Sequence, residues 1–112
     1  MAAGKHNFTL EQGATFDRQI TVQENNQALN LTGYSVRMQM RSTHDSSTIA
    51  LTFTTTVASP ATEGKINLIA TATDTAAIEE GIYVYDLEIE SSGGSVTRLL
   101  EGQVTVSPEV TR

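Results

Sequence analysis

Residues 34–41 read Tyr-Ser-Val-Arg-Met-Gln-Met-Arg, and in this stretch apolar and polar side chains alternate without a break. Tyr34, Val36, Met38 and Met40 therefore lie on one face of an extended chain, and the polar residues lie on the other. This period of two predicts a β-strand with one buried face and one exposed face. It is the clearest strand pattern in the chain.

Weaker forms of the same alternation occur on both sides of this strand. They are residues 16–22, 51–57, 66–70 and 83–90, with Phe8 and Leu10 indicating an opening strand and Val104 and Val106 a closing one. Thr, Val and Ile are frequent in these segments, and such β-branched residues fit a pleated, half-buried surface. The chain is therefore predicted to consist mainly of short strands.

Turn signals separate these strands at intervals of about ten residues. Residues 92–95, Ser-Gly-Gly-Ser, predict the turn of a β-hairpin over residues 82–106. Gly102 interrupts the second strand of this hairpin and predicts a β-bulge. One helical turn is predicted at residues 73–78, with Thr73 or Asp74 as its N-cap.

Seven or eight short antiparallel strands in 112 residues predict an all-β fold. The expected architecture is a two-sheet β-sandwich of immunoglobulin-like type, with at most one short helical turn. An open barrel is the alternative. The length predicts a single domain over residues 1–112, with extended arms at residues 1–6 and 107–112 that can order themselves against a partner.

The composition argues against several classes of function. Thirteen acidic residues face seven basic ones, and a net charge of -6 argues against nucleic acid or an acidic membrane as a partner. The absence of Cys excludes disulfides, thiolate metal sites and Cys nucleophiles. No apolar run approaches the roughly 20 residues of a membrane span, and the first residues lack the apolar stretch of a signal peptide.

No catalytic constellation is evident in the sequence. His44, Asp45 and Ser46 are consecutive in a polar stretch, and a solvated loop explains them better than a hydrolytic site does. A catalytic triad needs parts that rigid, separate segments bring together. Neither His6 nor His44 has a second His at a spacing that suggests zinc. We therefore expect no enzyme activity, no catalytic or metal site, and no cofactor.

Charge is distributed unevenly along the chain. Asp86, Glu88 and Glu90 alternate along one predicted strand, where they indicate a solvated sheet face opposite Arg37 and Arg41. The alternative is an acidic docking stripe or an acid–base pair. Residues 74–101 contain seven acidic residues and a single basic one, an asymmetry that suits head-to-tail contact between copies.

Four segments of the chain together resemble a family of small bacteriophage virion proteins. They are residues 7–16, with a Gln-Gly turn, residues 31–41, which begin Leu-Thr-Gly-Tyr, residues 81–89, and the closing residues 98–112. The same arrangement is similar to the immunoglobulin-like N-terminal domain of upper baseplate proteins from tailed phages. The resemblance covers nearly the whole chain, and its motifs are structural.

The resemblance implies a virion structural protein that docks on the tail, baseplate or neck and forms a homo-oligomer on the particle. Its partners would be other phage virion proteins, bound through sheet edges and terminal arms. The expected contact segments are residues 1–10 and 107–112. The candidate partner-binding residues are Phe8, Leu10, Arg37, Arg41, Pro108, Val110 and Arg112.

Two alternatives to this function remain. A capsid decoration protein on the phage head also uses a small β-rich fold with strand-forming ends. A carbohydrate-binding module for attachment to host glycans is the other, but such sites usually stack a sugar ring on an exposed aromatic side chain. Aromatic residues make up 5% of this chain and Trp is absent, which disfavours the module.

Overall fold

The computed structural model describes residues 4–24 and 26–110. The strands in this part of the chain are β1 (Gly4–Lys5), β2 (Phe8–Glu11), β3 (Phe16–Thr21), β4 (Gln23–Glu24), β5 (Gln27–Ala28), β6 (Ser35–Arg41), β7 (Leu51–Thr52), β8 (Thr54–Val57), β9 (Lys65–Ala70), β10 (Gly81–Glu90) and β11 (Val96–Ser107). Seven of these strands have four residues or more: β2, β3, β6, β8, β9, β10 and β11. Their number and positions confirm the predicted all-β fold.

The strands form two main sheets. The larger sheet has the order β1-β11-β10-β6-β7, with β2 also pairing β11, and the smaller sheet has the order β3-β9-β8. An immunoglobulin sandwich places its second, fifth and fourth strands in one sheet and its third, sixth and seventh in the other. Six of the seven longer strands follow this order, with β3-β9-β8 in one sheet and β6-β10-β11 in the other, whereas the first of the seven, β2, pairs with β11 in the larger sheet. The immunoglobulin-like β-sandwich is therefore confirmed.

The pairing of β1 and β2 differs from the predicted antiparallel arrangement. Both strands run parallel to β11, with Gly4 opposite Leu100 and Phe8 opposite Val104. A parallel pair requires a long connection between its strands, and here nearly the whole domain is that connection. Alternation of side chains reveals that a segment is a strand but does not encode its partner, so the sequence could not reveal this pairing.

The core lies between the two sheets. Its inward side chains come from alternate positions of the strands, as Met38 and Met40 on β6 and Leu87 on β10 show. Val36 and Tyr34 are partly buried against the same core, whereas Ser35 and Arg37 are exposed. The two faces predicted for residues 34–41 are therefore confirmed.

The predicted hairpin forms from β10 and β11, but its irregularity lies elsewhere than predicted. The register shifts between Leu87 and Glu88, which pair with Leu100 and Arg98, so Leu99 is the extra residue. Gly102 pairs in register with Tyr85, and the prediction of a bulge at Gly102 is wrong. A Cβ at Gly102 would overlap the carbonyl oxygen of His6, so this glycine permits close approach of the N-terminal segment instead.

Helical structure is confined to two single turns in the described ranges. The α-helical turn α1 (Ala72–Ala76) has Thr71 as its N-cap, whose Oγ1 accepts a hydrogen bond from the Asp74 backbone N–H at 3.1 Å. The predicted caps Thr73 and Asp74 lie inside the turn, because Thr71 is the last residue with an extended backbone. A 3-10 turn at Ala61–Glu63 was not predicted. No helix among the described residues has the length and apolar character needed to cross a membrane.

One side of the sandwich is closed and the other is open. On the closed side the chain passes from β7 in the larger sheet to β8 in the smaller one. There the Phe53 N–H donates to the Met38 carbonyl at 2.9 Å, and Thr55 Oγ1 donates to the Val36 carbonyl at 2.8 Å. On the opposite side, β1 and β2 form the margin of the larger sheet and β3 that of the smaller one. Within residues 4–24 and 26–110, no strand bridges these two margins.

Candidate interaction surface

An apolar groove of about 580 Å³ runs along the open side of the sandwich. Its floor is made of Ile20, Val22, Leu99 and Leu100, and Lys5 stands at its rim. Leu99 is buried, whereas Ile20, Val22 and Leu100 pack against the core and stay partly uncovered. The groove therefore combines apolar surface with two adjacent sheet edges.

The wall of the groove at Val22 depends on Gly64. The Val22 N–H donates to the Gly64 carbonyl at 2.7 Å, and the Val22 carbonyl accepts from the Leu29 N–H at 2.9 Å. Gly64 has a φ of 68°, and a Cβ there would lie 2.5 Å from the Val22 carbonyl oxygen. Only a residue without a side chain allows this approach. The loop that shapes the groove is thus held by backbone contacts.

The opposite wall is the N-terminal segment, which is bonded to the domain rather than free. The His6 N–H donates to the Glu101 carbonyl at 3.1 Å, and its own carbonyl accepts from the Tyr85 hydroxyl at 2.7 Å. The Gln103 N–H donates to Asn7 Oδ1 at 3.0 Å. The predicted extended arm is therefore, from Gly4 onward, an edge strand of the larger sheet; residues 1–3 lie outside the described residues.

Phe8 and Leu10, predicted to bind a partner, are core residues in this structure. Both are buried, and the Phe8 ring packs against Phe16 and Tyr85 with ring centroids 5.7 and 5.3 Å away. Their side chains are therefore occupied within the domain. What β2 offers to a partner is the backbone edge that faces away from β11.

Pro108 and Val110, which were also predicted, lie at the surface. Val110 has 90% of its surface exposed, the highest value among the large exposed apolar residues. Glu109 between them is half-buried, and its N–H donates to Gln12 Oε1 at 3.0 Å. We call residues 108–110 the tail. Arg112 lies outside the described residues.

Gln12 is a positioning residue that sequence reasoning missed. Its Oε1 holds the tail through Glu109, and its Nε2 donates to the Ile78 carbonyl at 2.8 Å. Its own N–H donates to the Ser107 carbonyl at 3.0 Å. The only indication of this role in the sequence was that Gln12 precedes Gly13, and a Gln-Gly pair predicts no more than a turn.

Arg37 and Arg41, predicted as electrostatic contacts, are both engaged within the domain. Arg37 Nε donates to Glu88 Oε1 at 2.9 Å and its Nη1 to Glu90 Oε1 at 3.0 Å, and these contacts raise the pKa of Arg37. The solvated sheet face of paired charges is therefore confirmed for Arg37. Arg41 instead donates to the Ser46 carbonyl at 2.9 Å and holds the loop after β6.

His44, Asp45 and Ser46 lie in the loop after β6, where Ser46 makes local hydrogen bonds. Ser46 Oγ accepts from the Thr48 N–H and donates to the Thr48 carbonyl, both at 3.2 Å, which stabilises a local turn. His44 lines a shallow depression on the outer face of the larger sheet, near Asp86 and Arg98. Burial and the neighbouring Glu88 raise the pKa of Asp86, and Arg98 Nε lies 3.5 Å from its Oδ2. Among the described residues, no three His, Asp or Glu side chains are grouped to hold a metal ion.

Tyr85 gives the groove wall a testable response to pH. Burial raises the pKa of Tyr85 to about 12 from an ordinary value of 10.0. Because the folded state favours the protonated phenol, this contribution to stability is complete below about pH 10 and is lost as the pH rises toward 12. We expect the urea midpoint of the wild type to fall between about pH 8 and pH 11.

The matched variant Tyr85→Phe should be less stable at neutral pH by about 1 kcal/mol, because the His6 carbonyl loses its donor. Its urea midpoint should fall less steeply between the same two pH values. Tyr83 should contribute to the dependence that remains, because burial also raises its pKa. If the urea midpoint fell equally with pH in the two proteins, Tyr85 would titrate as an exposed phenol.

Two surfaces of the described residues are candidates for contact with a partner: the groove with its adjacent sheet edges, and the tail with Pro108 and Val110. They lie at opposite ends of the open side. Neither a protein-family model nor a curated protein matches the sequence of this chain.

Proposed function

We propose that this chain is a non-enzymatic structural protein of a bacteriophage particle, where it docks on the tail, baseplate or neck of the virion. The phage setting comes from the resemblance of its four sequence segments to virion proteins. The observation that carries the docking mechanism is the open side of the sandwich. There, two sheet edges that have no further strand partner among residues 4–24 and 26–110 flank an apolar groove.

An open sheet edge supports docking because its backbone N–H and C=O groups have no partner. An extended segment of another protein can add to such an edge as a new strand, with main-chain hydrogen bonds supplying affinity. Alternate side chains of the added segment would enter the groove, where Ile20 and Leu100 provide apolar contact. This combination gives both backbone pairing and side-chain selection.

The charge pattern of β3 favours docking at the groove over indiscriminate pairing. Asp17 and Arg18 are exposed at the start of this strand, and charged side chains on an edge discourage pairing with other chains. The second half of β3, from Gln19 to Thr21, carries no charge. The unprotected part of the edge is therefore the part that lines the groove.

A protein partner suits this surface better than a sugar does. Four of the six aromatic rings, those of Phe8, Phe16, Phe53 and Tyr85, are buried in the core. A glycan site usually needs an exposed ring on which a sugar can stack. The burial of these rings therefore supports a protein partner over a host glycan.

The proposal is tested by mass spectrometry of purified virions divided into tail and head fractions. We expect the chain in the tail fraction. Recovery in heads would replace the tail, baseplate or neck location with capsid decoration. Absence from both fractions would overturn the structural role.

The tail segment is tested by a truncation that ends the chain at Ser107. Ser107 is kept because its carbonyl accepts a hydrogen bond from the Gln12 N–H and because Ser107 pairs with Glu11 on β2. We expect a folded domain that incorporates into particles at a reduced level. Normal incorporation of the folded truncation would remove residues 108–112 from the docking mechanism.

A further inference from the structure

We propose that copies of this chain associate head to tail, with the tail of one copy, Pro108 to Val110, seated in the groove of the next. The inference rests on the proposed function and names a second copy as a partner on the particle. The occupant of the groove is the tail of a second copy. This association joins the groove and the tail, two uncovered surfaces of the domain.

The tail and the groove lie too far apart to meet within one molecule. The groove borders β11 at Leu99 and Leu100, whereas the tail follows the end of β11 at Ser107. Leu100 and Ser107 are seven positions apart along this extended strand, which is about 23 Å, and the molecule is 42 Å long. The tail is held at Gln12, which follows the end of β2 beside Ser107. Contact between them therefore requires two copies.

The shape of the tail suits an apolar groove beside a sheet edge. Pro108 and Val110 are exposed, while Glu109 between them is bound to Gln12 of its own domain. Two exposed apolar side chains therefore flank a residue whose backbone N–H is held by the domain. The groove offers Ile20, Val22 and Leu100 to receive them. Its volume of about 580 Å³ is ample for a valine and a proline.

Charge favours this orientation over a tail-to-tail contact. Glu11, Glu79 and Glu80 are exposed near the tail, where Glu11 pairs with Ser107 and the two glutamates follow Ile78. The groove rim carries Lys5 together with Glu24, so its charges nearly balance. Two tail ends would bring like charges together, whereas a tail and a groove would not. We therefore expect the association to weaken only modestly with salt.

Such a contact is heterologous, because it uses two different surfaces of the same chain. Heterologous contacts repeat from copy to copy and produce a ring when the rotation closes and a filament when it does not. An isologous dimer would use the same surface twice and stop at two copies. This difference makes the proposal testable with the purified protein alone.

The test is sedimentation velocity of the purified chain over a range of concentrations. Val110→Asp alters the tail, and the double variant Thr21→Glu/Gln23→Glu places two carboxylates beside the groove at exposed positions. Each should raise the dissociation constant by about tenfold or more. Ile82→Asp is the matched control, since it adds one negative charge to a residue that is 62% exposed and lies outside both surfaces. It should change the constant by less than about twofold.

Mixing the two altered proteins gives the decisive result. The Val110→Asp copy keeps an intact groove, and the double variant keeps an intact tail, so an equal mixture should form dimers and nothing larger. A mixture that stays monomeric would overturn the proposal, as would a wild type that is monomeric at every concentration. Equal weakening by Ile82→Asp would also overturn it. Circular dichroism establishes that each variant is folded.

These outcomes are separate from the test of the proposed function. A wild type that is monomeric in solution but present in tail fractions would overturn head-to-tail association and leave the virion role standing. A wild type that self-associates but is absent from virions would do the reverse.

Discussion

Leu10→Ala should lower the free energy of unfolding by about 3 to 5 kcal/mol. Leu10 has 0% of its surface exposed and lies on β2, between the two sheets at the open side. Its removal leaves a cavity that neighbouring side chains fill only in part, so the lost contacts add to the lost burial. Domains of this size have about 5 to 15 kcal/mol of stability in all, and the loss is a large share of it.

The matched control is Thr9→Ala, one residue earlier on the same strand and exposed. It should change stability by about 0.5 kcal/mol or less. Urea denaturation measures the stability of both variants. Their midpoints can be compared when the free energy of unfolding depends equally on urea concentration in each. If Leu10→Ala were as mild as Thr9→Ala, Leu10 would be a surface residue, available to a partner as the sequence alone predicted.

Gly102→Ala should detach the N-terminal segment from the larger sheet. A Cβ at this position would overlap the His6 carbonyl oxygen and lie 2.8 Å from Asn7 Oδ1. Three hydrogen bonds depend on this approach: His6 to Glu101, Tyr85 to His6, and Gln103 to Asn7. At about 1 kcal/mol each, their loss outweighs the gain of 0.5 to about 1 kcal/mol that replacing a glycine can bring.

Hydrogen exchange measures this effect at defined positions. The amides of His6 and Gln103 should exchange faster in Gly102→Ala, because both lose their acceptors. Gly93→Ala is the control, since the nearest atom to its Cβ would be Ser91 Oγ at 3.9 Å. Unchanged exchange at both amides in Gly102→Ala would show that the segment accommodates a methyl group.

The sequence predicted the strands well because alternation is a local signal. Residues 34–41 revealed both faces of β6, and the ion pairs of Arg37 followed from charges that alternate on β10. The alternation does not indicate which residues pack against each apolar face. Phe8 and Leu10 read equally well as contacts for a partner and as contacts for the domain's own core.

The candidate site was harder to foresee, because the groove is made by residues distant in sequence. Lys5, Ile20 and Leu100 meet only once β1 pairs with β11 and the two sheets pack. Gly102 likewise read as a bulge, since its real neighbour, His6, lies far earlier in the chain. The exposure of Pro108 and Val110 was easier to anticipate from their place after the last strand pattern.

The parallel pairing of the first strands with the last has a consequence for synthesis of the protein. Asn7 and Gln103 are bonded across 96 positions, so the ribosome completes β1 and β2 long before their pairing strand exists. Until then Phe8 and Leu10 have no sheet to join, and folding that depends on such distant contacts is slow. A nascent chain therefore carries an unpaired apolar strand through most of its translation. Premature termination before β11 leaves a product that cannot bury that strand and is prone to aggregate.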